Sequence, residues 1–173
     1  MKKVTIFITL TAFFIVGTIL LTNISNNSVS LVKQPRLSTE ASADWPVYNA
    51  ETLITEKADL VAFVTVESQQ VTKGKNELSL AISKLKVDNV VYGDITSDTI
   101  EYHQNVDFIK EGESYLLFLK RVDDGIYVRP DANSISVEQN GTYEVKVKGI
   151  EGSYTKDNFT NAFNTLVKQF KAK

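Results

Sequence analysis

The sequence predicts a mainly β domain with flanking helices, a small sheet curled into a barrel, set behind an N-terminal transmembrane helix. Three observations carry that reading. An uncharged run of 19 residues, Val4 to Thr22, opens the chain. Several later stretches rich in Val, Ile, Leu, Phe and Tyr are separated by turns containing Gly, Asp or Asn. A stripe of apolar residues at three- and four-residue spacing closes the chain.

The opening run follows Met1, Lys2 and Lys3. As a helix it would cover roughly 28 Å, close to the hydrocarbon thickness of a bilayer. Its threonines can return their hydroxyls to backbone carbonyls. Lys2 and Lys3 would stay in the cytoplasm, which places the rest of the chain outside. Residues 1–22 thus read as a membrane anchor or uncleaved signal segment. A cleaved signal, with Ser28–Ser30 or Ala41–Ala43 as the processing site, is the alternative and implies a secreted protein. Residues 23–43 are small, polar and of little periodicity. They read as a linker that holds the domain off the membrane surface.

The remaining residues, 44–173, are long enough for one domain with a real core. Asn49 to Lys57 reads as a short helix with Ala50, Leu53, Ile54 and Ala58 on its apolar side. Ala58 to Val71 is a long strand, followed by a turn at Thr72–Asn76. Leu78, Leu80 and Ile82 alternate with polar or small residues and are expected on the buried face. Leu85 and Val87 fall out of phase with them, so a bulge near Ser83 and Lys84 is expected. Bends of that kind curl a small sheet into a barrel.

Thr99 to Gln104 is a short strand, with Ile100 and Tyr102 on one face and Glu101 and His103 on the other. Ser114 to Val122 is apolar enough to be a central strand buried on both sides. Asp124–Gly125 marks a hairpin into Ile126–Arg129, which stops at Pro130. Asn140–Gly141 marks a second hairpin, joining 134–138 to 142–148. Lys156 to Lys171 is a helix with Phe159, Ala162, Phe163, Leu166, Val167 and Phe170 on one stripe. Thr155 or Asp157 caps its start, and Lys168, Lys171 and Lys173 suit its negative end.

Composition excludes several chemistries. The 173 residues contain no Cys and a single His, His103. Disulfides, thiolate metal sites, Cys nucleophiles and multi-His metal centres are therefore out of reach of one chain. The formal net charge is −2 overall and −5 from Asp44 onward, which disfavours nucleic acid and other anionic partners. The chain has no G-x-S-x-G turn, EF-hand loop, P-loop or G-x-G-x-x-G fingerprint. Carboxylate pairs do occur, Asp94 with Asp98, Glu111 with Glu113 and Asp123 with Asp124, but each falls in a turn, where such residues serve solvation. No catalytic residue, cofactor or metal site is expected.

Three segments carry a resemblance: ADLVAFVTVES at 58–68, LKVDNVVYGD at 85–94 and IKEGESYLLFLK at 109–120. In this order they resemble exported β-barrel domains of Gram-positive bacteria, which share the OB-like fold of netrin and metalloprotease-inhibitor modules. The resemblance covers Ala58 to Arg129 and implies an extracellular OB-like β-barrel over 44–173. The eukaryotic inhibitors reach a protease metal through an N-terminal Cys; this chain has none, so that activity does not carry over. Tyr92 also stands where Lys is common before the glycine. An OB-like barrel implies a ligand face on its second and third strands. Here that candidate face holds Lys84, Lys86, Glu101 and His103, with Tyr102 at its rim. Trp45 to Tyr48 form an aromatic cluster at the domain entry, sealing the barrel end or anchoring an interface. The expected function is a membrane-anchored, non-enzymatic extracellular module that binds a protein or cell-envelope component. An envelope hydrolase using a carboxylate pair is the alternative.

Overall fold

A computed structural model describes residues 45–73 and 79–172. Among them no helix is long and apolar enough to cross a membrane. The expected anchor, the linker, Leu78 and most of the turn after Val71 lie outside the described residues.

The chain enters through a short helix, α1 (Ala50–Thr52), capped by Asn49, whose Oδ1 accepts the Thr52 N–H at 2.8 Å. The helix widens at once into a π-helical turn over Leu53–Lys57, closed by Ala58 N–H donating to Leu53 O at 2.8 Å. Strands β1 (Leu60–Lys73) and β2 (Ser79–Tyr92) form a long hairpin, followed by β3 (Thr99–Gln104), β4 (Ser114–Asp123) and β5 (Ile126–Val128). β1 pairs with β2, β2 with β3, β3 with β5, β5 with β4, and β4 returns to β1. Only β3 and β5 run parallel among these five. The result is a closed five-stranded barrel, compatible with an OB-like fold. β6 (Ile135–Gln139) pairs with β4 and leads through β7 (Thr142–Val145) to β8 (Gly152–Tyr154). Helix α2 (Lys156–Lys171) closes the chain, with the Thr155 hydroxyl accepting the Asn158 N–H as its cap.

Residues 60–64 of β1 and 115–119 of β4 are buried on both sides, so alternate residues feed two cores. Leu60, Ala62, Val64 and Val66 join Leu85, Ile100, Tyr102, Leu117, Leu119 and Tyr127 in the barrel interior. Val61 and Phe63 join Leu116 and Phe118 in a second core beneath α2. There Phe159 and Phe163 are fully buried and stack on each other at 5.5 Å, and Phe159 meets Phe63 and Phe118 edge-on. The terminal stripe therefore covers one outer face of the barrel.

Closure depends on irregular pairing. β1 carries an extra residue at Glu67, between the Val66–Leu85 and Ser68–Lys84 pairs, and β2 carries extra residues at Asp88 and Val91. The bulge expected at Ser83 and Lys84 thus sits on the facing strand at the same level. Gly93 ends β2 at φ +85°, where a Cβ would stand 2.0 Å from the Asp59 carbonyl oxygen. Only glycine lets the two chain segments pass.

One expectation is reversed. Ala81, Ser83 and Leu85 are the inward residues of β2, whereas Leu80 and Ile82 are half-buried on the outside. Volume explains the choice. Ser83 stands opposite Tyr102, which in turn stands beside Tyr127, and the two buried tyrosine rings leave room only for small neighbours. The buried Ser83 hydroxyl accepts a bond from Gln69 Nε2 at 3.0 Å.

Candidate functional site

The register of β2, β3 and β5 builds one outer face. Ile82 stands opposite His103, Lys84 opposite Glu101, and Lys86 opposite Thr99. Glu101 pairs in turn with Ile126, which brings His103 level with Val128. Four of the five candidate residues therefore share a face: Lys84, Lys86, Glu101 and His103. Tyr102 does not join them. It points inward, fully buried, because strand alternation sends it to the face opposite its two neighbours. Burial pushes its hydroxyl well above the ordinary phenol range. That hydroxyl lies near Gln104 without meeting hydrogen-bond geometry.

The charges on the face are largely committed to each other. The Glu101 carboxylate and His103 Nε2 are in hydrogen-bond contact. Lys84 reaches the bulge residue Glu67 at 3.0 Å, and Lys86 stands 3.9 Å from Asp88. Around them lie four aliphatic side chains, Leu80, Ile82, Ile126 and Val128, all half-buried. None of the four belongs to either core cluster. They were not among the residues expected on this face, because Leu80 and Ile82 read as core and Ile126 and Val128 as an ordinary hairpin strand.

Two hollows are set into the face. The first, about 320 Å³, is walled by Trp45, Leu80, His103, Val128 and Arg129. The second, about 580 Å³, is walled by Ile82, Lys84, Glu101, Asp124 and Ile126. Trp45 comes from the entry segment and lies against the Arg129 guanidinium at 4.0 Å from the ring centre. Arg129 is nearly buried and pairs with Asp107 at 2.9 Å. Gln104 fixes the same loop by donating to Asp107 O at 2.9 Å and accepting from Ile109 N at 3.2 Å. The entry segment is pinned again where Asp131 accepts the Tyr48 N–H at 2.9 Å. These bonds hold the rim of the first hollow in place.

The chain matches no protein-family model, and no curated protein matches it. Any functional reading therefore rests on the geometry of its own residues.

A larger groove, about 990 Å³, opens between Asp59, Tyr92, Asp94, Arg121 and Lys171. Its central polar groups are already occupied. Asp59 accepts from Lys120 Nζ at 3.2 Å and from Arg121 N at 2.9 Å. Arg121 donates to Asp94 O at 2.7 Å and to the Tyr127 hydroxyl at 2.9 Å. That groove is a braced seam that exposes, among the described residues, a single apolar side chain, Val122, whereas the β2–β3–β5 face carries four half-buried aliphatics side by side.

Proposed function

We propose that this protein is a non-enzymatic binding module that docks a protein or cell-envelope component on the outer face of β2, β3 and β5. The observation that supports the reading is the half-buried aliphatic strip of Leu80, Ile82, Ile126 and Val128, rimmed by ion pairs. Contiguous apolar surface bordered by charge marks interaction sites on folded domains. The uncharged 4–22 run and the resemblance to exported Gram-positive barrels add the location. Residues 4–22 span the membrane once, residues 23–43 space the domain from it, and the barrel faces outward.

Two measurements test the parts separately. Protease shaving of intact source cells should leave a membrane-retained N-terminal fragment of the anchor's size; recovery of the whole domain from the medium would replace anchoring by secretion. Binding of the full chain to isolated envelope fractions should saturate and should be lost in Ile82→Asp and Val128→Asp with circular dichroism unchanged. Equal binding by the variants, or hydrolysis of envelope material that disappears on Glu101→Gln or His103→Ala, would overturn the module reading.

A further inference from the structure

The two hollows repeat at the period of an extended chain. Passing from the first to the second moves two residues along each strand: Leu80 to Ile82, His103 to Glu101, and Val128 to Ile126. Two residues of strand span roughly 7 Å, the spacing between alternate side chains of an extended peptide. Two further steps along β2 pass Lys84, which is paired with Glu67, and arrive at Lys86, opposite the uncharged Thr99. The Lys86 ammonium makes only a long contact with Asp88, and its side chain is 59% exposed.

We propose that this face takes an extended polypeptide segment with two apolar side chains two residues apart and an acidic side chain four residues beyond the second. The inference rests on the binding reading above and names the ligand class. The first apolar side chain enters the hollow of Trp45, Leu80 and Val128. The second enters the hollow of Ile82 and Ile126. The acidic side chain meets Lys86 on the β2 side, away from Asp124 in the β4–β5 turn.

The chemistry of the walls favours a peptide over a glycan. Sugar recognition needs free planar polar groups beside an aromatic face. Here both ends of the Gln104 amide are used within the β3–β4 loop, Arg129 is bound to Asp107, and Glu101 is bound to His103. Exposed Gln70, Asn105 and Asp124 also line the hollows, but the Arg129 guanidinium lies over the Trp45 ring, and the branched side chains of Leu80, Ile82, Ile126 and Val128 suit aliphatic partners.

Trp45 is the only tryptophan in the chain and lines the first hollow, so its emission reports occupancy directly. The full-length chain in detergent micelles is titrated with a synthetic nonapeptide of threonine that carries leucine second, valine fourth and glutamate eighth. The expected result is a saturable change in Trp45 emission. Replacing the peptide glutamate by lysine should weaken binding by roughly three- to tenfold, the scale of one exposed charge reversal. Lys86→Glu, a change at an exposed position, should reverse that preference. If neither peptide alters the emission while Ile82→Asp still abolishes binding to envelope fractions, the peptide class is wrong and the face reading survives. If the peptides are silent and Ile82→Asp changes nothing, both fall. Saturable binding with no preference between glutamate and lysine peptides overturns the role of Lys86.

Discussion

One barrel presents two outer faces that the chain treats in opposite ways. On β1 and β4 the outward residues are Val61, Phe63, Leu116 and Phe118, and α2 lays Phe159 and Phe163 over them. On β2, β3 and β5 the outward residues include Leu80, Ile82, Ile126 and Val128, and neither core takes them in. The covered face is dense in aromatic rings at 4.9–6.2 Å from one another, whereas the open face alternates aliphatics with ion pairs. Apolar residues on both faces could serve packing equally well. The difference lies in whether the chain supplies its own cover. Where it does, the surface becomes core and contributes stability; where it does not, the same chemistry stays on the surface, where the proposed docking would use it.

The contrast breaks most sharply at α2. Phe163→Ala should cost about 3–5 kcal/mol in urea unfolding, because the ring is fully buried against Tyr92, Phe118 and Phe159. Ile82→Asp should change stability by less than about 1 kcal/mol, as a half-exposed position outside the cores does. Comparable losses from the two substitutions would mean that the faces are energetically alike and that the open face is structural.

Gly93→Ala sharpens the comparison at the seam where β2 passes the entry turn. The added methyl meets the Asp59 carbonyl at 2.0 Å and imposes φ +85° on a side-chain-bearing residue. The expected loss is about 2–3 kcal/mol, from clash and backbone strain together. Binding to the open face should survive at temperatures where the variant stays folded, since Gly93 lines neither hollow of that face. Parallel loss of binding and stability in that range would couple the two regions.

The covered face was legible in the sequence and the open face only partly so. The α2 stripe and its bounds follow from spacing, because a helix that must bury one side repeats its apolar residues at a fixed interval, whereas the choice of Thr155 over Asp157 as its cap is made by the structure. β3 was legible as well: Glu101 and His103 alternate with Ile100 and Tyr102 and lie on the faces expected. Tyr102 was assigned to the rim although its own alternation placed it inward. β2 misled for a different reason. Leu80 and Ile82 outweigh Ala81 and Ser83 in hydrophobicity, yet the small residues face the core because Tyr102 and Tyr127 already fill it. That constraint comes from β3 and β5 and is invisible within β2. β8 was missed because three residues, Gly152–Tyr154, are too few to show a period.

The smallest effect concerns Asp59, which ties the start of β1 to β4 where the barrel closes. Partial burial raises its affinity for a proton, but the Lys120 bond, the Arg121 N–H and the two positive charges outweigh that and hold its carboxyl below the ordinary range. A carboxyl depressed in the folded state adds stability above its unfolded value, near pH 4, and that contribution is lost as pH falls through the folded value. The difference between the parent chain and Asp59→Asn, measured by urea unfolding, should therefore be constant from about pH 7 to 5 and shrink below about pH 4. Its side chain is 40% exposed, so screening keeps the plateau under about 1 kcal/mol. Lys120→Met should lower the plateau and flatten the acid slope, because it removes the first of the interactions that depress the carboxyl. If the slope is unchanged in Lys120→Met, the closure of the barrel is held by backbone pairing alone. The ion pairs at the seam would then be as dispensable to folding as those on the open face.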